Sequence, residues 1–171
     1  CKACKRECPT GVDMAKMKIE ISNLRTKKHG LNLHEKLITY LPDYAPFASK
    51  FPNLFNLRDK IPGASKLSEI FLGFTAKRPL PKWRKDFFKN SELPEKPELN
   101  HTKLPVILFV DTFSRYFEPE NVRSAINVLK AAGYFPFLPS SNKSSRPLCC
   151  GRTYLSNGLI DKAKFEGEKL L

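Results

Sequence analysis

The sequence predicts an α/β fold, and three observations carry that prediction. LPVILFVD, starting at Leu104, is an unbroken apolar run, the pattern of a strand covered on both faces. Glu118-Pro119-Glu120 then opens a helix, with proline in the first turn, acid near the positive end of the dipole, and Val122, Ile126, Leu129 and Ala132 on an inner face before Gly133 ends it. YFPFLP follows as a second strand, weakened by Pro136. Strand, helix and strand in about 35 residues make a βαβ unit, which requires a parallel pair with a right-handed crossover.

Upstream of this unit the chain reads as helical. Asp13 is placed to cap a helix, Val12 and Met17 to staple its entry, and Lys27-Lys28-His29 to complement its negative end before Gly30 stops it. Met14, Met17, Ile21 and Leu24 recur at three- and four-residue steps, so this apolar stripe is expected to be buried against a neighbour. From Leu31 to about Asn100, prolines at 42, 46, 52, 62, 79, 81, 94 and 97 cut the chain into short pieces. LHEKLITYL, FPNLFNLRDKI and SKLSEIFLGF read as helices too short to stand alone. KRPLPKWRKDFFKN reads as a solvated basic connector, with a docking strip for an acidic or lipid surface as the alternative, and PEKPEL as a linker. At the other end, SNGLIDKAKFEGEKLL reads as one further helix.

No run of 18 apolar residues occurs in the 171, so no transmembrane helix is expected, and no basic-then-apolar leader opens the chain. The expected location is cytoplasmic, with peripheral contact at the inner face of the cell membrane left open. The formal charge of +13 suits nucleic acid, anionic lipid or an acidic protein. Its basic residues are scattered and no base-reading motif accompanies them, so a solvated or membrane-facing surface is expected and nucleic acid is not. No G-x-G-x-x-G follows the first strand, which removes support for dinucleotide binding there.

The five cysteines fall in two clusters, Cys1, Cys4 and Cys8 at one end and Cys149-Cys150 near the other. A secreted disulfide framework would spread an even number along the chain; clustered soft thiols point to metal or redox chemistry. A zinc ribbon needs two C-x2-C pairs, and only one is present. The run C-x2-C-x2-C-x3-C-P holds [4Fe–4S] cubes, and Cys1, Cys4, Cys8 and Pro9 match its last three cysteines and proline. On that reading the chain is a piece that begins inside a cluster-binding loop. In PLCCGRTYLSNG, the pair Cys149-Cys150 allows a buried coincidence, a vicinal disulfide or two ligands. Gly151 permits close approach of a bulky cofactor, and Arg152 adds positive charge.

Cys149-Cys150-Gly151, with the βαβ unit before it and an NGL helix after it, resembles the cysteine-rich CCG domain of iron–sulfur subunits. Together with CKACKRECPTGVDMAKMK upstream, the chain is similar to the C-terminal part of FAD-linked oxidoreductases of the glycolate oxidase or D-lactate dehydrogenase type. The resemblance implies three regions: residues 1–30 as the end of a ferredoxin-type domain, 31–103 as a helical connector and 104–171 as a CCG domain. It implies Cys1, Cys4 and Cys8 as cube ligands and Cys149, Cys150 and Gly151 as the second cofactor-binding group. FAD would lie in a preceding domain, partners would be that flavin domain and a quinone or similar acceptor, and no catalytic residue is expected in this chain. The family's cysteine some 31 to 39 residues before CCG is replaced here by Asp111, and its later C-x-x-C would fall past Leu171. The expected function is electron transfer from a 2-hydroxy acid through [4Fe–4S] clusters. A zinc-binding interaction module is the alternative, and a basic adaptor docking nucleic acid or membrane a third reading.

Overall fold

The computed structural model describes residues 3–94, 103–139 and 146–170, with the backbone alone at Ala3 and Cys4. Cys1 and nearly all of PEKPEL lie outside these residues. In chain order the elements are α1 (Ala3–Glu7), α2 (Met14–His29), α3 (Leu33–Thr39), α4 (Leu41–Ala48), α5 (Pro52–Phe55), α6 (Leu57–Lys60), α7 (Ala64–Leu72), β1 (Leu104–Ile107), α8 (Thr112–Tyr116), α9 (Pro119–Ala131), β2 (Tyr134–Phe137), α10 (Arg152–Ser156) and α11 (Ile160–Glu168). The mixed α/β class expected from the sequence is the class observed. The chain divides into two compact units, one of Cys1–Leu41 with Cys150–Glu168, the other of Pro42–Cys149 with Lys169–Leu171.

The second unit contains the βαβ motif. β1 and β2 pair in parallel, Leu104 opposite Tyr134 through Ile107 opposite Phe137, and α9 crosses between them. Buried Val122 and Ile126 of α9 meet Val110 and Leu138, which follow the two strands, together with Phe88 and Leu93. Phe88 is wholly buried. The stretch from Trp83 to Leu93 is therefore not the solvated connector expected. Its aromatic residues turn inward: Trp83 packs on Phe117 at 4.7 Å and Phe55 at 5.8 Å, and Phe87 on Tyr116 at 5.5 Å. Its charges form a brace, Arg84 on Asp86 and Glu120, and Arg123 on Glu92. Burying the rings outweighs solvating the lysines between them, because the lysine heads stay in water while the rings leave it.

β1 departs from expectation. Leu104 and Ile107 are exposed despite the apolar run, because among the described residues the sheet has two strands and leaves them uncovered. Two single-turn helices were also not expected. Asp111 caps α8 by accepting from the Ser114 amide, and α10 follows Gly151. FPNLFNLRDKI breaks at Asn56 into α5 and α6, because its amide side chain is engaged by Trp83: Nδ2 donates to the Trp83 carbonyl and Oδ1 accepts from the Trp83 amide.

The first unit is closed by a backbone contact between residues about 135 apart. α2 has the expected cap, Asp13 accepting from the Lys16 amide, and ends at Gly30. Its buried side, however, is the polar one. The Thr26 hydroxyl donates to the Asn157 carbonyl at 2.9 Å, and the Asn23 side-chain Nδ2 donates to the Gly158 carbonyl. A Cβ on Gly158 would sit 2.4 Å from the Asn23 nitrogen. That contact fixes which side of α2 faces inward, so the stripe expected to dock is turned outward: Ile21 is 64% exposed, Leu24 67%, and Met14 and Met17 about half.

Gly158 combines a φ of +79° with no room for a methyl group. Gly158→Ala is expected to destabilise the first unit by at least about 2 kcal/mol, through strain and backbone displacement together. Gly63→Ala, at φ +84° in open space, carries only the left-handed penalty of about 1–2 kcal/mol. Urea unfolding of the two variants checks this ordering.

Candidate functional site

The turn after α1 holds Cys8. Residues 8 to 11 close a tight turn, with the Gly11 amide donating to the Cys8 carbonyl at 3.1 Å. The Cys8 thiol, partly exposed, lies 3.2 Å from the Thr10 hydroxyl. That hydroxyl, foremost, and the amides of Val12 and Thr10 hold the thiol below its ordinary range, because each stabilises the sulfur as an anion. Of the other two expected ligands, Cys4 lies in α1 with its side chain outside the described residues, and Cys1 is outside them altogether.

At the second cluster the two adjacent cysteines face different surroundings. Cys149 is 2% exposed and Cys150 is exposed, and neither forms a disulfide among the described residues. The division into units passes between them. Gly151 redirects the chain after the pair into α10. Its φ is +71°, and a Cβ there would come within 2.9 Å of the Ala163 carbonyl oxygen in α11. α10 is barely one turn, so it offers Cys150 backbone geometry rather than a macrodipole. α10 is held by α11, α3 and α2. Tyr154 stacks edge-on against Tyr40 at 6.1 Å, and the Lys162 ammonium lies 4.4 Å from the centre of the Tyr40 ring. Arg152 is exposed.

Asp111, which stands where the resembled family has a cysteine, caps α8. Both carboxylate oxygens serve α8, one accepting from the Ser114 amide at 2.8 Å and the other paired with the Ser114 hydroxyl at 3.3 Å.

One group was missed by sequence reading. Arg115 is 5% exposed, its Nη1 donating to the Phe88 carbonyl at 3.1 Å and to Asn90 Oδ1 at 2.8 Å, while its Nε has no hydrogen-bond partner among the described residues. Burial lowers its basicity from the ordinary guanidinium value. It borders a cavity of about 20 Å³, lined also by Phe109, Val110, Leu138 and Leu148, just past the C-terminal ends of the two strands. That is room for one water. An arginine within SRYF carries no period or spacing that would have signalled this.

Thiols carrying a hydroxyl and amides on sulfur suit thiolate-held iron, and in donor chemistry Cys8 fits an iron–sulfur ligand. Among the described residues no three His, Cys, Asp or Glu side chains come together to hold one metal ion. What the fold does is bring the segments bearing Cys8 and Cys150-Gly151 into one unit.

Comparison with known proteins finds D-2-hydroxyglutarate dehydrogenase of Pantoea ananatis (strain AJ13355), 26% identical over 149 residues, and that of Escherichia coli (strain K12), 26% identical over 146. Each match takes in 81% of this chain and 14% of the relative, so the chain spans about one-seventh of the curated relatives it matches. Both relatives are, by name, 2-hydroxy-acid dehydrogenases. No family model matches the chain. No solved structure matches it. No helix among the described residues is long and apolar enough to cross a membrane.

The hydrogen bond from Thr10 makes a specific demand. Thr10→Val is expected to move the pH midpoint of Cys8 alkylation by iodoacetamide upward, because the thiolate loses its strongest stabiliser. Peptide mapping across a pH series measures this; an unchanged midpoint would mean the hydroxyl does nothing for the sulfur.

Proposed function

We propose that this chain is part of an FAD-linked oxidoreductase acting on a 2-hydroxy acid, and that its two cysteine-bearing segments belong to the iron–sulfur portion that carries electrons onward. The observation that carries the reading is the similarity to two D-2-hydroxyglutarate dehydrogenases over four-fifths of the chain. The joining of residues near Cys8 and Cys150 into one unit supports the iron–sulfur part.

On this reading an iron–sulfur cube, when bound, supplies one-electron relay. The chain's own contribution is to present Cys1, Cys4 and Cys8 as soft donors on one short segment. Thr10 and the backbone amides then favour the anionic form of Cys8. Cys149 and Cys150 form the second donor group, one buried and one exposed. Flavin, the hydroxy-acid site and the step that takes hydride from substrate belong to the rest of the protein, and the acceptor is a quinone or a carrier of similar potential.

The test uses the whole reading frame around this segment, purified anaerobically. Adding D-2-hydroxyglutarate, D-lactate or glycolate is expected to bleach both flavin and iron–sulfur absorption with one of the three. Cys8→Ser should keep flavin reduction and lose iron together with quinone reduction. A colourless protein holding stoichiometric zinc on the same cysteines would instead establish the zinc-binding module.

A further inference from the structure

α7 is a helix turned inside out. Its nine residues run between two glycines in the left-handed region, Gly63 and Gly73. Its inner side is tied down by polar contacts: the Ser68 hydroxyl accepts from Arg58 Nε at 3.0 Å, and the same guanidinium donates to the Phe74 and Thr75 carbonyls just past the helix. The adjoining exposed side carries Leu67, Ile70 and Phe71, spaced to share one face, with Lys66 and Glu69 exposed next to them. Ile70 is 77% exposed and Phe71 70%. These are the most exposed large apolar side chains of the described residues.

We infer that this Leu67–Ile70–Phe71 face of α7 docks on an anionic lipid surface, its apolar side chains entering the headgroup boundary while neighbouring lysines pair with lipid phosphates. Charge selects this occupant. Residues 42–94 carry ten Lys and Arg against five Asp and Glu. Four of those acids are ion-paired within the unit, Asp43 with Arg146, Asp59 with Arg58, Asp86 with Arg84 and Glu92 with Arg123, and the fifth, Glu69, is exposed on α7. Lys60 and Lys66 beside the apolar face, with Lys77 and Arg78 beyond it, are exposed. A second copy of a chain at +13 would meet this face with like charge, whereas a leaflet of acidic lipid meets it with opposite charge. A helix of this length, about 13 Å, lies flat and buries one side, as interfacial helices do. Phe47, Phe51 and Leu54 are further exposed apolar side chains of the same unit.

The inference concerns where the chain sits and is independent of the redox reading. It is tested by cosedimentation of the chain with phosphatidylcholine vesicles with and without phosphatidylglycerol. Binding to the anionic vesicles is expected to be at least roughly tenfold tighter and to weaken with salt. Ile70→Ser with Phe71→Ser leaves the charge unchanged and alters only exposed positions; it should lose roughly tenfold or more in affinity. Lys66→Gln should lose roughly fivefold. As a second measurement, tryptophan placed by Phe71→Trp should be quenched by lipids brominated on the acyl chains. Absence of vesicle binding, or equal binding by the Ile70/Phe71 double variant, overturns the inference. So does a concentration-dependent dimer that the same double variant abolishes.

Discussion

The close approach of the Asn157-Gly158 turn to Ser22 and Asn23 of α2 is the constraint from which the first unit follows. Two hydrogen bonds, from Asn23 and Thr26, flank a contact where even a methyl group has no room. Because Gly158 follows Cys150 by only eight residues and α2 follows Cys8 by six, this one contact draws together two cysteine-bearing stretches that are remote in the chain. Their shared unit is a consequence of backbone packing and requires no metal to explain it.

The same contact explains an unusual division of surface. A helix normally turns its apolar stripe inward, since burial is worth about 25 cal/mol per Å² of apolar area. α2 does the reverse because its inner side must pass beneath the turn at Gly158, where only small and polar side chains such as Ser22, Asn23 and Thr26 fit and find partners. α7 does the reverse for another reason: Arg58 needs acceptors on its inner side, and Ser68, Phe74 and Thr75 provide them. Each unit thus presents an apolar helix face at its surface. Such faces are uncommon on proteins that work alone in water and mark surfaces that meet something else.

Local features were legible in the sequence. The cap at Asp13, the stop at Gly30, proline at the start of α9 and the βαβ succession each depend on neighbours within a few residues, and each is observed. Long-range choices were not. Nothing in the spacing of Met14, Met17, Ile21 and Leu24 records that a glycine some 135 residues away claims the other side of the helix. Trp83, Phe87 and Phe88 look solvated when read among their lysines, yet the core lies against them. α8 and α10 are too short to have a period, and each is set by one residue, Asp111 or Gly151. Of the site, the cysteine positions were plain from the sequence. That Cys149 is buried while Cys150 is exposed leaves no mark in a bare Cys-Cys pair.

The most direct test of the central claim, that α2 and the helices after the cysteine pair form one cooperative unit, is hydrogen exchange read by mass spectrometry on the native chain. If the account is right, amides of α2 and of α10–α11 open together, with one free energy and one dependence on denaturant. Exchange of α2 well ahead of α10–α11, with a separate denaturant dependence, would contradict it.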